Sequence, residues 1–547
     1  MTGLRLSRDF RIVLLLMTIA AVMSLFLSIT KQGVDEDSLK HLMPAHELAA
    51  GRGYIYRGSP QLLMPPGYGM IAYIAYLLVG DIEYSGIIVS SASYLLLIPL
   101  AYHAGRRMFD RKVGLLSAFY ATFSPVMVYF SHQAFSDCLF SLFIMLGLIT
   151  YYEILSGRRS LVKSMLYGAL IGYAYLIRPE GFLIMLFSAA YLFAVERRET
   201  GDTLKSLKHP MAVMMAFIVL AAPYVMFVHA HTGLWTMSPK ISFILVYGEK
   251  VVDGLEAVQV KMEEHPEYFQ PGYRLDVREY LMERGWKYVI RVGRNVMHWV
   301  SFFTAMDFHA ILPLTVLFFF TVLSRDTENQ YNVGDFIPDG RKLMAFIIFM
   351  IPSTQYILFC VIERYLLPFT TIMLIPLSAA ALRVADKTVR HLGVAYGNGL
   401  AIICITSLIA ASGTLHVTDI TSLYFTFTEP DVHAGIMKAG LWLGENAGDD
   451  GNLRILAPRM GDVILFYANG KKNADGEYVN LHPGMDVDEV SLILRNGSAD
   501  YLVLDFNYVK RRPMMYGLWN TREESLGQGI GVVYEDPEGY FKVYRAS

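Results

Sequence analysis

Charge is scarce in this chain. Of 547 residues, 18% are Asp, Glu, Lys or Arg, against about 25% in ordinary soluble domains, whereas 54% are hydrophobic. A basic excess is also missing. The formal net charge is -2, and a chain without surplus Lys and Arg cannot neutralise a phosphate backbone, so no nucleic acid is expected as a partner. Only three cysteines occur, Cys138, Cys360 and Cys404. They sit far apart in apolar runs with no CxxC or Cys/His spacing, which excludes a disulfide framework and a thiolate metal site. Asp35 and Asp37 have the spacing of an acidic pair able to hold a hard cation, but nothing else in the sequence joins them, so neither metal nor cofactor is expected. Internal repeats and low-complexity tracts are lacking as well.

What is abundant is apolar sequence in long runs. A membrane span needs about 20 such residues, with 17 to 25 the usual range. Runs near 12–29, 85–102, 113–130, 134–155, 164–177, 182–195, 212–228, 310–323, 343–362, 366–382 and 394–415 meet or approach that length. The reading is an all-α polytopic membrane domain of about eleven spans over 1–428, followed by a small soluble α/β domain over 429–547. The first run follows Arg5, Arg8 and Arg11, is too long for a signal-peptide core and has no small-residue cleavage site behind it, so it reads as a retained span.

Basic clusters give the orientation, because positive loops stay cytoplasmic. Arg106/Arg107/Arg111/Lys112, Arg158/Arg159/Lys163, Arg197/Arg198/Lys205/Lys208, Arg341/Lys342 and Arg383/Lys387/Arg390 fall on alternate connections with the N-terminus. These are the inside loops of a multi-pass protein of the plasma (inner) membrane, N-terminus cytoplasmic. External loops then cover 30–84 and 231–309, and the C-terminal domain is extracytoplasmic. Residues 164–195 are too few for two full spans, so either both helices are short or the central Arg178-Pro179-Glu180-Gly181 lies below the outer surface. Non-helical backbone at that depth must be lined by protein or water, so the second case implies an aqueous cavity opening outward. In the second external loop, the 276–300 stretch is helical and amphipathic, with Trp235, Trp286 and Trp299 suited to the headgroup level. After 429, LRILAP (453–458) and YLVLDF (501–506) read as strands, DVDEVSLILRNG as a helix and GVVYEDPEGYFKVYR as a hairpin.

Charges beside spans cost at least about 2.5 kcal/mol at the bilayer centre, so their positions carry information. Asp35-Glu36-Asp37, Asp137, Arg178 with Glu180, and Glu363-Arg364 all fall on the external side in this topology. Each has a plain structural reading. Asp137 complements a helix dipole beside Ser136, Arg178 and Arg364 snorkel, and the 35–37 run is a solvated loop. Convergence on one face shifts the balance toward a site.

Several motifs, in order, resemble the C-type superfamily of membrane glycosyltransferases, in the branch of protein O-mannosyltransferases and the lipid A aminoarabinose transferase. The first external loop is similar in Asp37, Ala45, Leu48, Gly51-Arg52-Gly53-Tyr54 and Met64-Pro65-Pro66-Gly67-Tyr68, then Gly80-Asp81. Ser124-Pro125 through Ser131 to Asp137 resembles the approach to the family's fourth span. Arg178-Pro179-Glu180-Gly181 resembles its Arg-Pro-x-Gly turn, Arg364-Tyr365-Leu366-Leu367-Pro368 its late Arg-Tyr-x-x-Pro, and Pro223, Gly233 and Ser238 its spacing before a long loop. The resemblance covers about 10–415, and His41 stands where the family has tyrosine.

The resemblance implies the C-type fold and an inverting transfer from a polyprenyl-phosphate-linked sugar to an extracytoplasmic hydroxyl on protein, lipid or envelope glycan, beside membrane lipid. A hydroxyl is a weak nucleophile and needs a carboxylate base. Asp37 fits the spacing, Asp35 is the alternative, and Asp137 is an orienting acid. Arg178, Arg364 and Lys240 would neutralise the leaving phosphate, with Glu180, Tyr365, Glu36, His41 and Tyr68 completing the substrate contacts. A transporter or flippase of lipid-linked sugars is the rival reading, although the matched discontinuous halves that would favour it are not evident. The third reading, a glycan- or protein-binding module on an anchor, does not need so many spans.

Overall fold

The computed structural model describes residues 7–30, 33–305, 340–392, 432–447, 453–457, 460–473, 476–481, 485, 487–506, 509, 519–520, 530–537, 539 and 541–546. The expected spans 310–323 and 394–415, and Cys404, lie outside these. Among the described residues, five helices are long and apolar enough to cross a membrane: Arg8–Ile29, Ile82–Met108, Asp137–Leu155, Thr203–Thr232 and Arg364–Arg383. The order from the N-terminus is α1 (Arg8–Thr30), α2 (Glu36–Ala49), the short strands β1 (Ile55–Tyr56) and β2 (Ser59–Pro60), α3 (Gly67–Val79), α4 (Ile82–Met108), α5 (Arg111–Phe123), α6 (Pro125–Ser131), α7 (Asp137–Leu155), α8 (Leu161–Ile177) and α9 (Gly181–Thr200). Longer helices follow at Lys208–Thr232, Trp286–Ala305, Gly340–Leu358 and Glu363–Leu392.

Two expectations need correction. The run 113–130 is two helices, because Pro125 disfavours helical backbone at Ser124. Ser124 is extended and caps α6, its hydroxyl accepting the Met127 N–H at 3.4 Å, with Pro125 at the first helical position. The loop expected over 30–84 contains α3, an apolar helix of 13 residues. Its Ile74, Leu77 and Leu78 are exposed. A threshold of about 20 residues passes over so short an element.

The chain divides into two compact units. The first comprises Met1–Leu25, Leu62–Tyr68 and Val89–Tyr424. Helix α8 lies so close to Lys208–Thr232 that a Cβ on Gly168 would stand 2.2 Å from the Val213 carbonyl oxygen. Gly168→Leu must therefore separate the two backbones. The expected cost is about 1–3 kcal/mol, read as a lower melting temperature of the detergent-solubilised protein. On its other side α8 stacks Tyr167 against Tyr151 of α7, ring centres 5.0 Å apart.

Helix Trp286–Ala305 is built inside out. Trp286, Val289, Val296, Met297 and Val300 are exposed while Arg291 and Asn295 are buried, the arrangement suited to a lipid-facing helix. The buried polar groups satisfy backbone carbonyls around the end of helix Gly340–Leu358 and in the short helix Ile241–Tyr247. Asn295 donates to the Ile357 and Phe359 oxygens at 3.0 and 3.2 Å, and Arg291 donates to those of Leu245 and Leu358 at 2.7 and 3.4 Å. This fixes the short break before Glu363–Leu392, the helix that carries Arg364.

The second unit comprises Phe26–Gln61, Gly69–Ile88 and Phe425–Ser547. Its five-stranded sheet runs in the order β4-β3-β5-β7-β6, from β3 (Arg454–Ala457), β4 (Glu477–Asn480), β5 (Tyr501–Asp505), β6 (Ile530–Glu535) and β7 (Phe541–Ala546). β3 pairs in parallel with β4 and β5, while β7 is antiparallel to β5 and β6. Central β5 is buried at every position, as a strand covered on both faces must be. Helix Val487–Arg495 packs Val490 and Leu494 into one cluster with Leu456, Leu502, Leu504 and Tyr544.

Candidate functional site

Helix α8 stops at Arg178 because Pro179 follows it. The residue before proline is driven out of the helical region, and Arg178 has φ -149 and ψ 138 while its N–H still donates to the Ala174 oxygen at 2.8 Å. The Gly181 N–H closes the turn on the Arg178 oxygen at 3.2 Å. Arg178 and Glu180 are thereby held between two helices. Nearby, Gly67 of the Pro-Pro-Gly-Tyr motif allows a close approach: a Cβ there would lie 2.7 Å from the backbone of Leu176.

The Arg178 side chain is 8% exposed and that of Asp137, at the start of α7, 3%. Arg178 Nη1 donates to Asp137 Oδ1 at 2.7 Å, and Nε lies 3.5 Å from Glu180 Oε1. That same Glu180 oxygen accepts a hydrogen bond from the Tyr356 hydroxyl. Glu180 Oε2 is buried without a hydrogen-bond partner among the described residues. The guanidinium also stands over the rings of Tyr365 (4.7 Å) and Phe140 (5.7 Å). Arg364 lies over Phe135 at 4.8 Å and over Tyr365 at 5.2 Å. One tyrosine ring thus contacts two guanidinium groups, and it packs against Tyr356, 5.4 Å away between ring centres. Cation–π contact of this kind holds an arginine without neutralising it.

The structure therefore brings together five residues singled out from sequence, Asp137, Arg178, Glu180, Arg364 and Tyr365, the last in contact with both arginines. Tyr68 joins them indirectly. Its buried hydroxyl is 3.2 Å from Ser90 Oγ, which donates to the Phe135 oxygen at 3.0 Å. Lys240 reaches Met64 Sδ at 3.3 Å, within the Met-Pro-Pro motif. Tyr356, Phe135 and Phe140 were not foreseen: they are three among 35 tyrosines and 32 phenylalanines, with no motif to mark them. The one signal was periodic, since Phe140 lies one turn beyond Asp137 on α7.

The remaining candidates belong to the second unit. Asp35 is the N-cap of α2, its Oδ1 accepting the Asp37 N–H at 2.8 Å. Glu36 pairs with Lys40 at 2.7 Å, and Asp37 Oδ1 is 3.9 Å from the same ammonium. Burial opposes the charge on Lys40, but Glu36 and Asp37 more than offset it and hold its pKa above the ordinary lysine value. The Asp37 side chain is 31% exposed, in the first turn, where the helix dipole favours an anion. His41 is buried one turn further on. Its carbonyl is approached by Gly69, where a Cβ would lie 2.2 Å away. No group of three or more His, Cys, Asp or Glu that could hold a metal ion occurs among the described residues.

Residues 64–227 match the family described as dolichyl-phosphate-mannose-protein mannosyltransferase. The matched segment contains Tyr68, Asp137, Arg178 and Glu180. Among solved structures, ArnT from Cupriavidus metallidurans bound to undecaprenyl phosphate aligns over 98% of each chain, with 14% identity and a TM-score of 0.56. The Archaeoglobus fulgidus oligosaccharyltransferase in its apo form aligns over 98% of this chain and 74% of its own, with 13% identity and a TM-score of 0.57. The archaeal oligosaccharyltransferase AglB, in complex with an inhibitory peptide and a dolichol-phosphate, gives 14% identity, the same coverage and a TM-score of 0.56. No curated protein matches the chain. At these identities the likeness establishes the fold alone, which this chain shares with those structures.

Proposed function

From a C-type fold and a mannosyltransferase-like segment carrying a buried Arg178–Asp137 pair, we propose that this chain is a membrane glycosyltransferase. It moves a sugar, hexose or pentose, from a polyprenyl-phosphate-linked donor to an extracytoplasmic hydroxyl, with inversion. The observation that carries the reading is the cluster of Arg178, Asp137, Glu180, Tyr356, Tyr365 and Arg364. Two guanidinium groups face one aromatic ring beside apolar helices, chemistry suited to a phosphate whose lipid tail stays in the bilayer. That ArnT and AglB have been crystallised or complexed with undecaprenyl phosphate and dolichol-phosphate supports the donor class.

The phosphate leaving group is a weak base, so it needs positive charge and not a proton. Arg178 already faces two carboxylates, and Arg364 is held by aromatic rings. Arg364, beside Tyr365, and Arg178 are the phosphate ligands of this reading, with Lys240 as a weaker third. Asp137 and Glu180 orient Arg178. Asp37 is the general base, with Glu36 and His41 beside it on α2 and Tyr68 behind the arginine cluster. The wider reading keeps the orientation argued from the basic loops, with about eleven spans and an extracytoplasmic α/β domain at 429–547.

Asp35 is better suited to capping than to catalysis. Asp35→Asn preserves an N-cap acceptor and is expected to keep transfer near the wild-type rate. Asp35→Ala is expected to lower stability by about 1 kcal/mol. Equal and large losses of transfer in Asp35→Asn and Asp37→Asn would reverse the assignment. The function itself is tested by mass spectrometry of lipids from a deletion strain, which should accumulate a polyprenyl-phosphate monosaccharide. Reconstituted vesicles separate transfer from translocation: flipping of that lipid without transfer to any acceptor would favour the flippase reading.

A further inference from the structure

The second unit encloses a cavity of about 900 Å³ between the C-terminal half of α2, the β1–β2 hairpin, the Gly80-Asp81 turn and the 470–473 turn. None of the proposed catalytic residues lines it. Its size is at the upper end of small-ligand sites, large enough for more than one sugar ring. Its charges come already matched. Glu47 holds Arg52 in a two-pronged pair, with Nη2 to Oε1 at 2.8 Å. Arg57 pairs with Asp462 at 2.5 Å, and the Tyr56 hydroxyl donates to the same carboxylate at 2.8 Å. Lys471 sits 3.2 Å from Asp81 and 2.7 Å from Glu83. Only Lys472, exposed at the rim, adds a cation that forms no ion pair among the described residues.

Such a wall does not select a strongly charged ligand, because Glu47 and Asp81 would repel a polyanion as the arginines attract it. It presents donors paired with acceptors. Vicinal hydroxyls, each both donor and acceptor, satisfy that pattern, and planar guanidinium–carboxylate pairs match them two at a time. Tyr56 and Tyr76 add aromatic surface for the apolar face of a sugar ring. His46 packs edge-on against Tyr76 at 5.3 Å, and its Nδ1 has no hydrogen-bond partner among the described residues. Glu47 lies ten residues after Asp37 on α2, which at 1.5 Å per residue is about 15 Å along the helix.

We propose that this cavity binds the non-reacting sugars of an oligosaccharide acceptor, a few units away from the hydroxyl that receives the donor sugar. The inference rests on the glycosyltransferase reading and narrows its acceptor to a glycan chain. Binding energy gathered far from the reacting centre then holds the acceptor in register.

The test uses the full chain in lipid nanodiscs and, as probe, fluorescently labelled neutral oligosaccharides released from the envelope of the source organism. Wild-type protein should bind a fraction of this pool. Arg52→Ala/Lys472→Ala and, separately, Tyr76→Ala should weaken binding about tenfold or more, while binding of undecaprenyl phosphate by the same preparations stays unchanged and reports an intact membrane unit. Equal affinity in wild type and both variants overturns the proposal. So does transfer of the donor sugar by wild type to a glycan-free lipid or peptide while no oligosaccharide binds. Cavity-dependent glycan binding without transfer to any acceptor would uphold the cavity and defeat the glycosyltransferase reading.

Discussion

Transfer by the Asp37→Asn protein is expected to fall by roughly 10²- to 10⁴-fold, the range over which a positioned general base contributes. Asn keeps the size and the hydrogen-bonding shape of Asp and removes only the basicity, so the loss should appear in kcat with donor affinity preserved. Three features support the proposed role of Asp37. It stands in the first turn of a helix whose N-terminus favours the anion. Its backbone N–H is bound by Asp35 at 2.8 Å, which fixes the turn. Its side chain stays 31% exposed, accessible to an acceptor, with the Lys40 ammonium 3.9 Å away. Lys40→Met should therefore have a smaller effect than Asp37→Asn, because Glu36 is the closer partner of that lysine. Wild-type rates in Asp37→Asn, measured with saturating lipid donor, would remove the base from the mechanism.

Arg178→Ala is expected to destabilise the protein by about 3–5 kcal/mol, because it strands buried carboxylates without their counter-ion. Asp137 is 3% and Glu180 8% exposed at the side chain, and neither can recruit bulk water. The loss should appear as a large drop in melting temperature or as failure to accumulate. Two further variants keep the test informative where that one does not fold. Asp137→Ala/Arg178→Ala should cost less than the two single changes added together, since groups in one ion pair couple. Arg178→Lys should fold yet transfer poorly, because an ammonium cannot present Nη1 to Asp137, Nε to Glu180 and a flat face to Tyr365 at once. Independent, additive effects at 137 and 178 would mean that the pair is not an energetic unit.

Much of the helical framework was legible. Apolar runs at 12–29, 85–102, 134–155, 212–228 and 366–382 each overlap one of the five long apolar helices. The strand-like runs at 453–458 and 501–506 lie on β3 and β5. Failures had local causes. Pro125 cut one run into two helices, and α3 was too short for a length criterion. The amphipathic 276–300 stretch was visible as a pattern, but which face would meet protein was not, and its buried side proved to be the polar one.

The sequence by itself determined where apolar helices form, where prolines end them and which charged residues stand at the ends of spans, because length, backbone restriction and the cost of a charge in lipid act locally along the chain. Tertiary structure alone decided which charges became partners. Arg178 and Asp137 are 41 positions apart, and Glu180 and Tyr356 are 176 apart. Nothing in local propensity encodes such encounters. They arise because a buried ion is tolerated only beside its counter-ion or a donor, and helix packing determines which side chain arrives there.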